Sequence, residues 1–213
     1  MNVMRLDIPA DVPSPIDLRR LEDAQAWAKS ANVKRPWRAE FFSAFVSELV
    51  ALPTAPLSII ELGSGPGFLA ERIVRELPGV HYTLFDFSPS MHQLARGRLG
   101  SQPNLSFVEG DFKREGWSQD LGSFHAVVTL QSVHELRHKR YASALHLAVR
   151  ELLHPRGVYL VCDHIAGPGG MTNTELYMSV TEQANALIVA GFDSVSVVLE
   201  KRGLVLHRAR KAA

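Results

Sequence analysis

Apolar residues in the N-terminal quarter of the chain recur at helical spacing. Phe41, Phe45 and Leu49 stand four residues apart, which predicts a helix with one wide apolar face. An earlier helix is expected to open at Ser14, because a capping hydroxyl there precedes a proline and an acid, and to end near residue 32. The two helices predict a helical arm over residues 1–56.

From residue 57 onward, short apolar runs alternate with helical patterns. The runs predict strands over residues 57–62, 80–86, 105–108, 124–130 and 157–163. Helices are predicted over residues 66–77, 88–99 and 138–153, and over 172–190 from a Thr172–Glu175 capping box. Two last strands, 194–199 and 204–209, are too close in sequence for a parallel connection. The pattern predicts an α/β fold with a doubly wound, mostly parallel sheet that ends in an antiparallel hairpin.

Composition excludes several classes of protein. The chain has 213 residues, a formal net charge of +1 and a single cysteine, which excludes a disulfide scaffold and indicates one compact domain. No run reaches the roughly 18 apolar residues of a membrane span, and the first residues lack a signal-peptide core, so we expect a cytoplasmic protein. The balanced charge argues against nucleic acid as a partner. Monomer and homodimer both remain open.

A glycine-rich loop follows the first predicted strand. Gly63, Gly65 and Gly67 allow a sharp turn and the close approach of a ligand. Phe68 stands where the dinucleotide fingerprint has its third glycine, and Glu61 before the loop would repel phosphates. The loop therefore favours a cationic ligand over a pyrophosphate. The alternative is a tight strand–helix turn without a ligand.

Two further acids follow the next strands. Asp86 ends the second strand, where an acid accepts hydrogen bonds from ribose hydroxyls. After the third strand, Asp111 is placed to accept from an adenine amino group and Phe112 to stack on its ring. The alternatives are a turn-forming Asp and a solvated loop acid. A nucleoside site is the prediction.

Together these residues resemble the class I S-adenosylmethionine-dependent methyltransferases, and most of all the small-molecule enzymes of the ubiquinone/menaquinone-biosynthesis type. The resemblance covers about residues 57–209 and includes the Glu-x-Gly-x-Gly-x-Gly loop, both acids, the turn at 151–157 and the terminal hairpin. It implies a Rossmann-like fold with residues 57–213 as the S-adenosylmethionine-binding domain. It also implies methyl transfer to a small-molecule acceptor by in-line displacement.

In that family the loop glycines hold the methionyl part of the cofactor, and the segment after the fourth strand passes its sulfonium. The resemblance thus implies a cofactor site made of Glu61, Gly63, Ser64, Gly65, Gly67, Asp86, Phe87, Met91, Asp111, Phe112 and Gln131. No Asn-Pro-Pro-Tyr follows the fourth strand, which argues against many amine and glutamine methyltransferases. Gln131 stands where a magnesium-dependent enzyme would carry an Asp.

Three positions are candidates for roles beyond this set. His134 is the candidate general base, because it is an imidazole at the expected rim of the pocket; the alternative is a histidine that binds the backbone. His138 lies four residues further, but the spacing does not match a zinc site, so no metal is predicted. Arg38 in the arm is a candidate for the cofactor carboxylate, or an arginine whose stem packs on Trp37. Asp163 and His164 end the fifth strand on the same rim.

Three other hypotheses remain open at this point. A non-catalytic module that binds S-adenosylmethionine would carry the same cofactor residues. A nicotinamide oxidoreductase is disfavoured by Phe68 and Asp111. A nucleic-acid methyltransferase is disfavoured by the balanced charge, although Lys201, Arg202 and the chain end are basic.

Overall fold

A computed structural model describes residues 10–213, so the first nine residues of the predicted arm lie outside the described range. The helices are α1 (Leu21–Lys34), α2 (Arg38–Val50), α3 (Phe68–Glu76), α4 (Pro89–Leu99), α5 (Ala142–Leu152) and α6 (Val180–Val189). The strands are β1 (Ser58–Leu62), β2 (His81–Asp86), β3 (Leu105–Glu109), β4 (Phe124–Leu130), β5 (Leu153–His164), β6 (Ser194–Lys201) and β7 (Leu204–Arg210). Two 3₁₀ turns, Val133–Leu136 and Lys139–Tyr141, connect β4 to α5.

The seven strands form one sheet in the order β3-β2-β1-β4-β5-β7-β6. The first five strands pair in parallel, whereas β7 pairs antiparallel with both β5 and β6. The strand order reverses between β1 and β4, which leaves a crevice at the carboxyl ends of these strands. The predicted mostly parallel sheet with an antiparallel hairpin is confirmed.

Helices cover both faces of this sheet. Ile59 and Ile60 are neighbours in β1 and are fully buried in two different clusters, since successive side chains of a strand point to opposite faces. The cluster around Ile59 includes the apolar face of α2, with Phe41, Phe45 and Leu49 fully buried. Burial of each of these side chains contributes roughly 1.5–3 kcal/mol, so the apolar face stabilises the packing of α2 on the sheet.

The first helix begins at Leu21, so its predicted start at Ser14 is wrong. The Ser14 hydroxyl donates to the Ile16 carbonyl instead of capping a helix. The segment before α1 is held against the sheet domain: Ser88 Oγ donates to the Leu18 carbonyl at 2.5 Å, and Ser90 Oγ donates to the Arg19 carbonyl at 2.6 Å. These long-range bonds satisfy carbonyls that a helix would have used internally.

Two other predicted helix starts are also too early. The helix expected from Thr172 begins at Val180, where Ser179 and Glu182 form the capping box. The Asn173 side chain accepts from the backbone N–H groups of Glu175 and Leu176, which forms a turn in place of a helix start. The helix expected from residue 138 begins at Ala142 after a 3₁₀ turn.

Candidate functional site

A cleft with about 960 Å³ of free space, part of it open to solvent, lies at the carboxyl ends of the central strands. Its wall is built from the glycine loop after β1, the ends of β2, β4 and β5, and the arm helices. Ligands of open α/β sheets bind at this place, where the strand order reverses. The cleft is therefore the candidate functional site.

The glycine loop forms one wall of the cleft. Gly63 has φ of +65°, and a Cβ there would overlap with the Ser132 side chain, so only glycine fits. The backbone N–H groups of Gly63 and Ser64 donate to the Phe85 carbonyl, which fixes the turn. Ser64 Oγ is buried at this wall without a hydrogen-bond partner among the described residues. A donor in that position is available to a bound ligand.

Gly67 has a different role from the other two loop glycines. It lies at the N-terminus of α3 with φ of +78°, and a Cβ there would lie 3.2 Å from Ala95 Cβ in α4. It does not line the cleft. Gly67 was predicted in the cofactor site, but in the structure it allows α3 and α4 to pack closely behind the loop.

Asp86 is fixed at the end of β2 by the backbone. Its Oδ2 accepts from the Gly65 N–H at 2.7 Å, and its Oδ1 accepts from the Ser88 N–H at 2.9 Å. Burial raises the pKa of Asp86 to about 6, although these hydrogen bonds favour its ionised form. Each carboxylate oxygen accepts more than one hydrogen bond, so the group still has acceptor sites for hydroxyls in the cleft.

Glu61 lies at the floor of the cleft and is 2% exposed. It accepts a hydrogen bond from the Tyr82 hydroxyl at 2.8 Å. Burial raises the pKa of Glu61 to about 8, so the carboxyl is mostly protonated near neutral pH. A cation bound beside it would favour the ionised form.

The far end of the cleft from β5 has apolar walls. Phe87, Met91 and Phe112 line this end together with Leu18 of the segment before α1. Asp111 does not line the cleft; it borders a neighbouring groove, and its Oδ1 accepts from the Lys113 N–H at 3.0 Å. The structure thus brings Phe112 to the cleft and leaves Asp111 outside it.

His134 is held by Asp163 on the β5 side of the cleft. Its Nδ1 lies 2.7 Å from Asp163 Oδ1, and its backbone N–H donates to Asp163 Oδ2 at 2.8 Å. Its Nε2 lies 3.4 Å from Glu135 Oε1. Burial favours the neutral ring, but the Asp163 and Glu135 carboxylates outweigh it and raise the pKa of His134 to about 10. The pair is a basic imidazole oriented by a carboxylate.

Other polar side chains surround this pair. Gln131, at the end of β4, has φ of 58°, and its side-chain amide lies 2.8 Å from His164 Nε2. The rings of His134, His164 and Tyr177 lie 5.5 to 5.9 Å from one another. Burial lowers the pKa of His164 to about 4, so this second imidazole is neutral. The β5 end of the cleft is therefore rich in hydrogen-bonding groups.

The arm contributes two arginines to the cleft, Arg35 and Arg38. Arg38 is 4% exposed, and its guanidinium lies within 6 Å of the ring centres of Trp27, Phe42 and Phe68. Its Nη1 donates to Asn32 Oδ1 at 2.8 Å, while its Nε is buried without a partner among the described residues. Burial lowers the pKa of Arg38 to about 10, so it stays charged at neutral pH.

The structure thus brings most of the predicted site residues to one cleft. They are Arg38, Glu61, Gly63, Ser64, Gly65, Asp86, Phe87, Met91, Phe112, Gln131 and His134. Sequence reasoning missed Arg35, Leu18 and Glu135, and no spacing or motif marks them as site residues. Within residues 10–213, no group of three or more His, Cys, Asp or Glu side chains is arranged to hold a metal ion. In the same range, no helix is both long and apolar enough to cross a membrane.

Comparison with known families gives a match over the central part of the chain. Residues 59–157 match the family model described as a methyltransferase domain. Malonyl-[acyl-carrier protein] O-methyltransferase 1 of Ilyobacter polytropus is 37% identical over 54 residues, which are 25% of this chain and 20% of that protein. Acetylserotonin O-methyltransferase of Mus musculus is 30% identical over 142 residues, which are 62% of this chain and 35% of that protein. The chain thus spans about a third or less of the length of these relatives.

Solved structures share the fold. The CMeT domain of the citrinin polyketide synthase has a TM-score of 0.71 at 19% identity, covering 88% of this chain and 56% of that one. Human N-acetylserotonin methyltransferase in complex with SAM has a TM-score of 0.68 at 19% identity, covering 92% and 58%. A DhpI–SAH complex has a TM-score of 0.66 at 21% identity, covering 91% and 96%. At these identities the likeness shows the fold alone.

Proposed function

We propose that this chain, whose residues 59–157 match a methyltransferase domain, is a class I S-adenosylmethionine-dependent methyltransferase that transfers a methyl group to a hydroxyl oxygen of a small molecule. The observation that carries the proposal is that His134, which is held by Asp163, lines the same cleft as the glycine loop and Asp86. A sulfonium methyl group needs no activation by the protein, but a hydroxyl must lose its proton as its oxygen is methylated. Two relatives are O-methyltransferases by name, which supports an oxygen acceptor.

The residues in the cleft fit the cofactor. Gly63 leaves space that a Cβ would fill, and the buried Ser64 Oγ and Arg38 Nε lack partners among the described residues. Under this proposal Asp86 accepts from the ribose hydroxyls, and Phe87, Met91 and Phe112 enclose the adenine. Arg38 binds the carboxylate of the methionyl part as a charge-assisted pair. Bound S-adenosylmethionine supplies an electrophilic methyl group.

His134 then acts on the acceptor. The neutral ring takes the hydroxyl proton at Nε2, and the oxygen lone pair forms the new bond to the methyl carbon. Asp163 accepts from Nδ1–H, which selects the tautomer whose Nε2 carries no proton and stabilises the imidazolium that forms. Leu18 and Tyr177 help to close the cleft, and exclusion of water protects the reactive centre.

The remaining parts of the proposal concern the domain division, the cellular location and the partners of the chain. The domain division stays the predicted one, with an arm over residues 1–56 and a cofactor-binding domain over residues 57–213, and the described part of the arm supplies Arg35 and Arg38 to the cleft. The cytoplasmic location, the choice between monomer and homodimer and the absence of a nucleic-acid partner stay predictions from the sequence.

Calorimetric titration with S-adenosylmethionine, S-adenosylhomocysteine and NAD tests the proposal. We expect the first two to bind and NAD not to bind, and we expect Asp86→Ala to weaken S-adenosylhomocysteine binding at least tenfold. Asp111→Ala is the matched control, because Asp111 lies outside the cleft, and its affinity should stay within about twofold. Binding of NAD alone, or an Asp86→Ala variant that binds normally, would contradict the proposed site.

A further inference from the structure

The β5 end of the cleft carries an uncompensated positive charge. Arg35 and Arg38 both line the cleft, and neither forms an ion pair with an acid of residues 10–213. The two guanidiniums lie close enough that the charge of Arg35 helps to lower the pKa of Arg38, after the larger effect of burial. Like charges held together at a cleft are stabilised when anions bind between or beside them.

Acids near this end are already engaged. Asp163 accepts two hydrogen bonds from His134, through the ring and through the backbone. Glu135 lies 3.4 Å from His134 Nε2 and accepts from Arg137 Nη1 at 3.3 Å. Neither of these two carboxylates therefore pairs with Arg35.

The two arginines differ in how they are held, because within residues 10–213 only Arg38 is packed among aromatic rings and hydrogen-bonded to Asn32. Arg38 lies over the ring of Phe68, the first residue after the glycine loop, and its charge acts on Glu61. Both charges add to burial in lowering the pKa of His164, and the charge of Arg35 also acts on Tyr177; the guanidinium of Arg35 has no ion pair in the described range. Arg38 is thus placed for the cofactor, and Arg35 is left for a second anion.

The local structure presents Arg35 at this place. Arg35 directly follows the last residue of α1, and Pro36 comes next, so the chain leaves the helix there and turns into α2. The side chain is half-buried, and no hydrogen bond to another described side chain restrains its guanidinium. A planar guanidinium with free donors matches the two oxygens of a carboxylate.

We propose that Arg35 binds a carboxylate of the acceptor, so that the substrate class is a small hydroxy acid whose hydroxyl reaches His134. This inference rests on the proposed methyl transfer and adds the charge of the substrate to it. A neutral analogue leaves the guanidinium without its anion in a partly dry cleft, and such a mismatch is a strong source of discrimination.

Calorimetry on the full chain saturated with S-adenosylhomocysteine tests the inference. The probes are 2-, 3- and 4-hydroxybenzoate and 4-hydroxyphenylacetate, each paired with its neutral amide. We expect at least one acid to bind five or more times tighter than its amide. Arg35→Gln should remove this preference, Arg35→Lys should keep part of it, and Arg75→Gln, an exposed arginine on α3, should leave it unchanged.

The variants also separate the two proposals. Arg35→Gln should bind S-adenosylhomocysteine within about twofold of the wild type, because Arg38 holds the cofactor. A tenfold loss of that affinity would assign Arg35 to the cofactor and overturn the inference. Amides that bind as well as acids, or no binding by any of the acids, would also overturn it. Failure of the unmodified protein to bind S-adenosylhomocysteine would instead overturn the proposed function.

Discussion

Two clusters of histidine and tyrosine lie beside strand β5, one with His134 and Tyr177 and the other with His146 and Tyr159. The pKa values of His134 and His146 are shifted in opposite directions. At the carboxyl end of the strand, His134 is bound to Asp163 beside the cleft, and the pKa of His134 is raised to about 10. Behind the sheet, His146 packs 5.5 Å from the ring of Tyr159 in the middle of the same strand, and burial lowers the pKa of His146 to about 3. His146 is fully buried and the His134 side chain is only 15% exposed, so burial alone does not explain the difference.

The difference in pKa comes from a carboxylate partner, which His134 has and His146 lacks among the described residues. His146 is fully buried, and its one hydrogen-bond partner among the described residues is the Gln183 amide, 2.9 Å from Nε2. Nearby His207 is also fully buried, and burial lowers its pKa to about 4 against a contact with the Val180 backbone that raises it. Without a carboxylate, these rings stay neutral and serve packing. With one, His134 becomes a group that can bind or release a proton in the cleft.

Replacement of the two histidines tests the comparison most directly. We expect His134→Gln to lower methyl transfer at least 100-fold, since a positioned general base contributes about 10²–10⁴-fold. Affinity for S-adenosylhomocysteine should stay within about threefold. His146→Gln should keep turnover within about twofold. Release of S-adenosylhomocysteine with an accepted hydroxy acid gives the rates, and equal losses in the two variants would remove the distinction between the clusters.

Removal of Asp163 should lower the pKa of His134 and make this histidine more like His146. In the wild type, the neutral ring of His134 is the active form, so kcat/KM should rise with pH from 7 toward 10. Asp163→Asn removes the largest charge that favours the imidazolium, and the midpoint of this rise should fall by at least one pH unit, with the limiting rate about tenfold lower. The His134 ring protons, followed by NMR against pH, measure the same shift without an acceptor. An unchanged midpoint would show that Asp163 does not control the pKa of His134.

Much of the sheet was predictable because its strands are short apolar runs between turn residues. His134 and Asp163 were both predicted at the same rim of the pocket, but their hydrogen bond was not, because it depends on the parallel register of β4 and β5, which places Leu130 beside Cys162. Sequence distance contains no sign of that register. The direct contact between the two side chains could be found only once the register was known.

The helix starts show a second limit. Thr172–Glu175 and Ser179–Glu182 have the same capping-box spacing, yet only the second opens a helix. The chain before it forms bridges at Ile165↔Met178 and Ala166↔Met171, which hold both ends of the turn at Asn173 beside the end of β5. Local propensity did not distinguish the two boxes, because contacts elsewhere in the fold decided between them. The same contacts place Met171 and Tyr177 at the cleft.

The pH dependence of the free energy of unfolding gives the smallest expected difference between His134 and His146. The pKa of His146 lies well below its unfolded value of about 6.5, so between these values the unfolded chain binds the additional proton, and stability falls as pH decreases. The raised pKa of His134 acts in the other direction, and its contribution is lost only as pH rises from about 6.5 through 10.

Chemical denaturation of the wild type and His146→Gln at pH 7.0 and 5.5 measures this contribution. The variant is expected to be less stable than the wild type at pH 7.0, because it loses a packed ring. The gap should narrow by about 1 kcal/mol at pH 5.5, because the variant no longer has this acid-sensitive group. Glu61 and Asp86, whose pKa values burial raises, oppose the trend equally in both proteins, so the difference between them isolates His146. A gap that stays constant with pH would mean that the ring takes up its proton while still folded, and the buried cluster would then titrate like an exposed histidine.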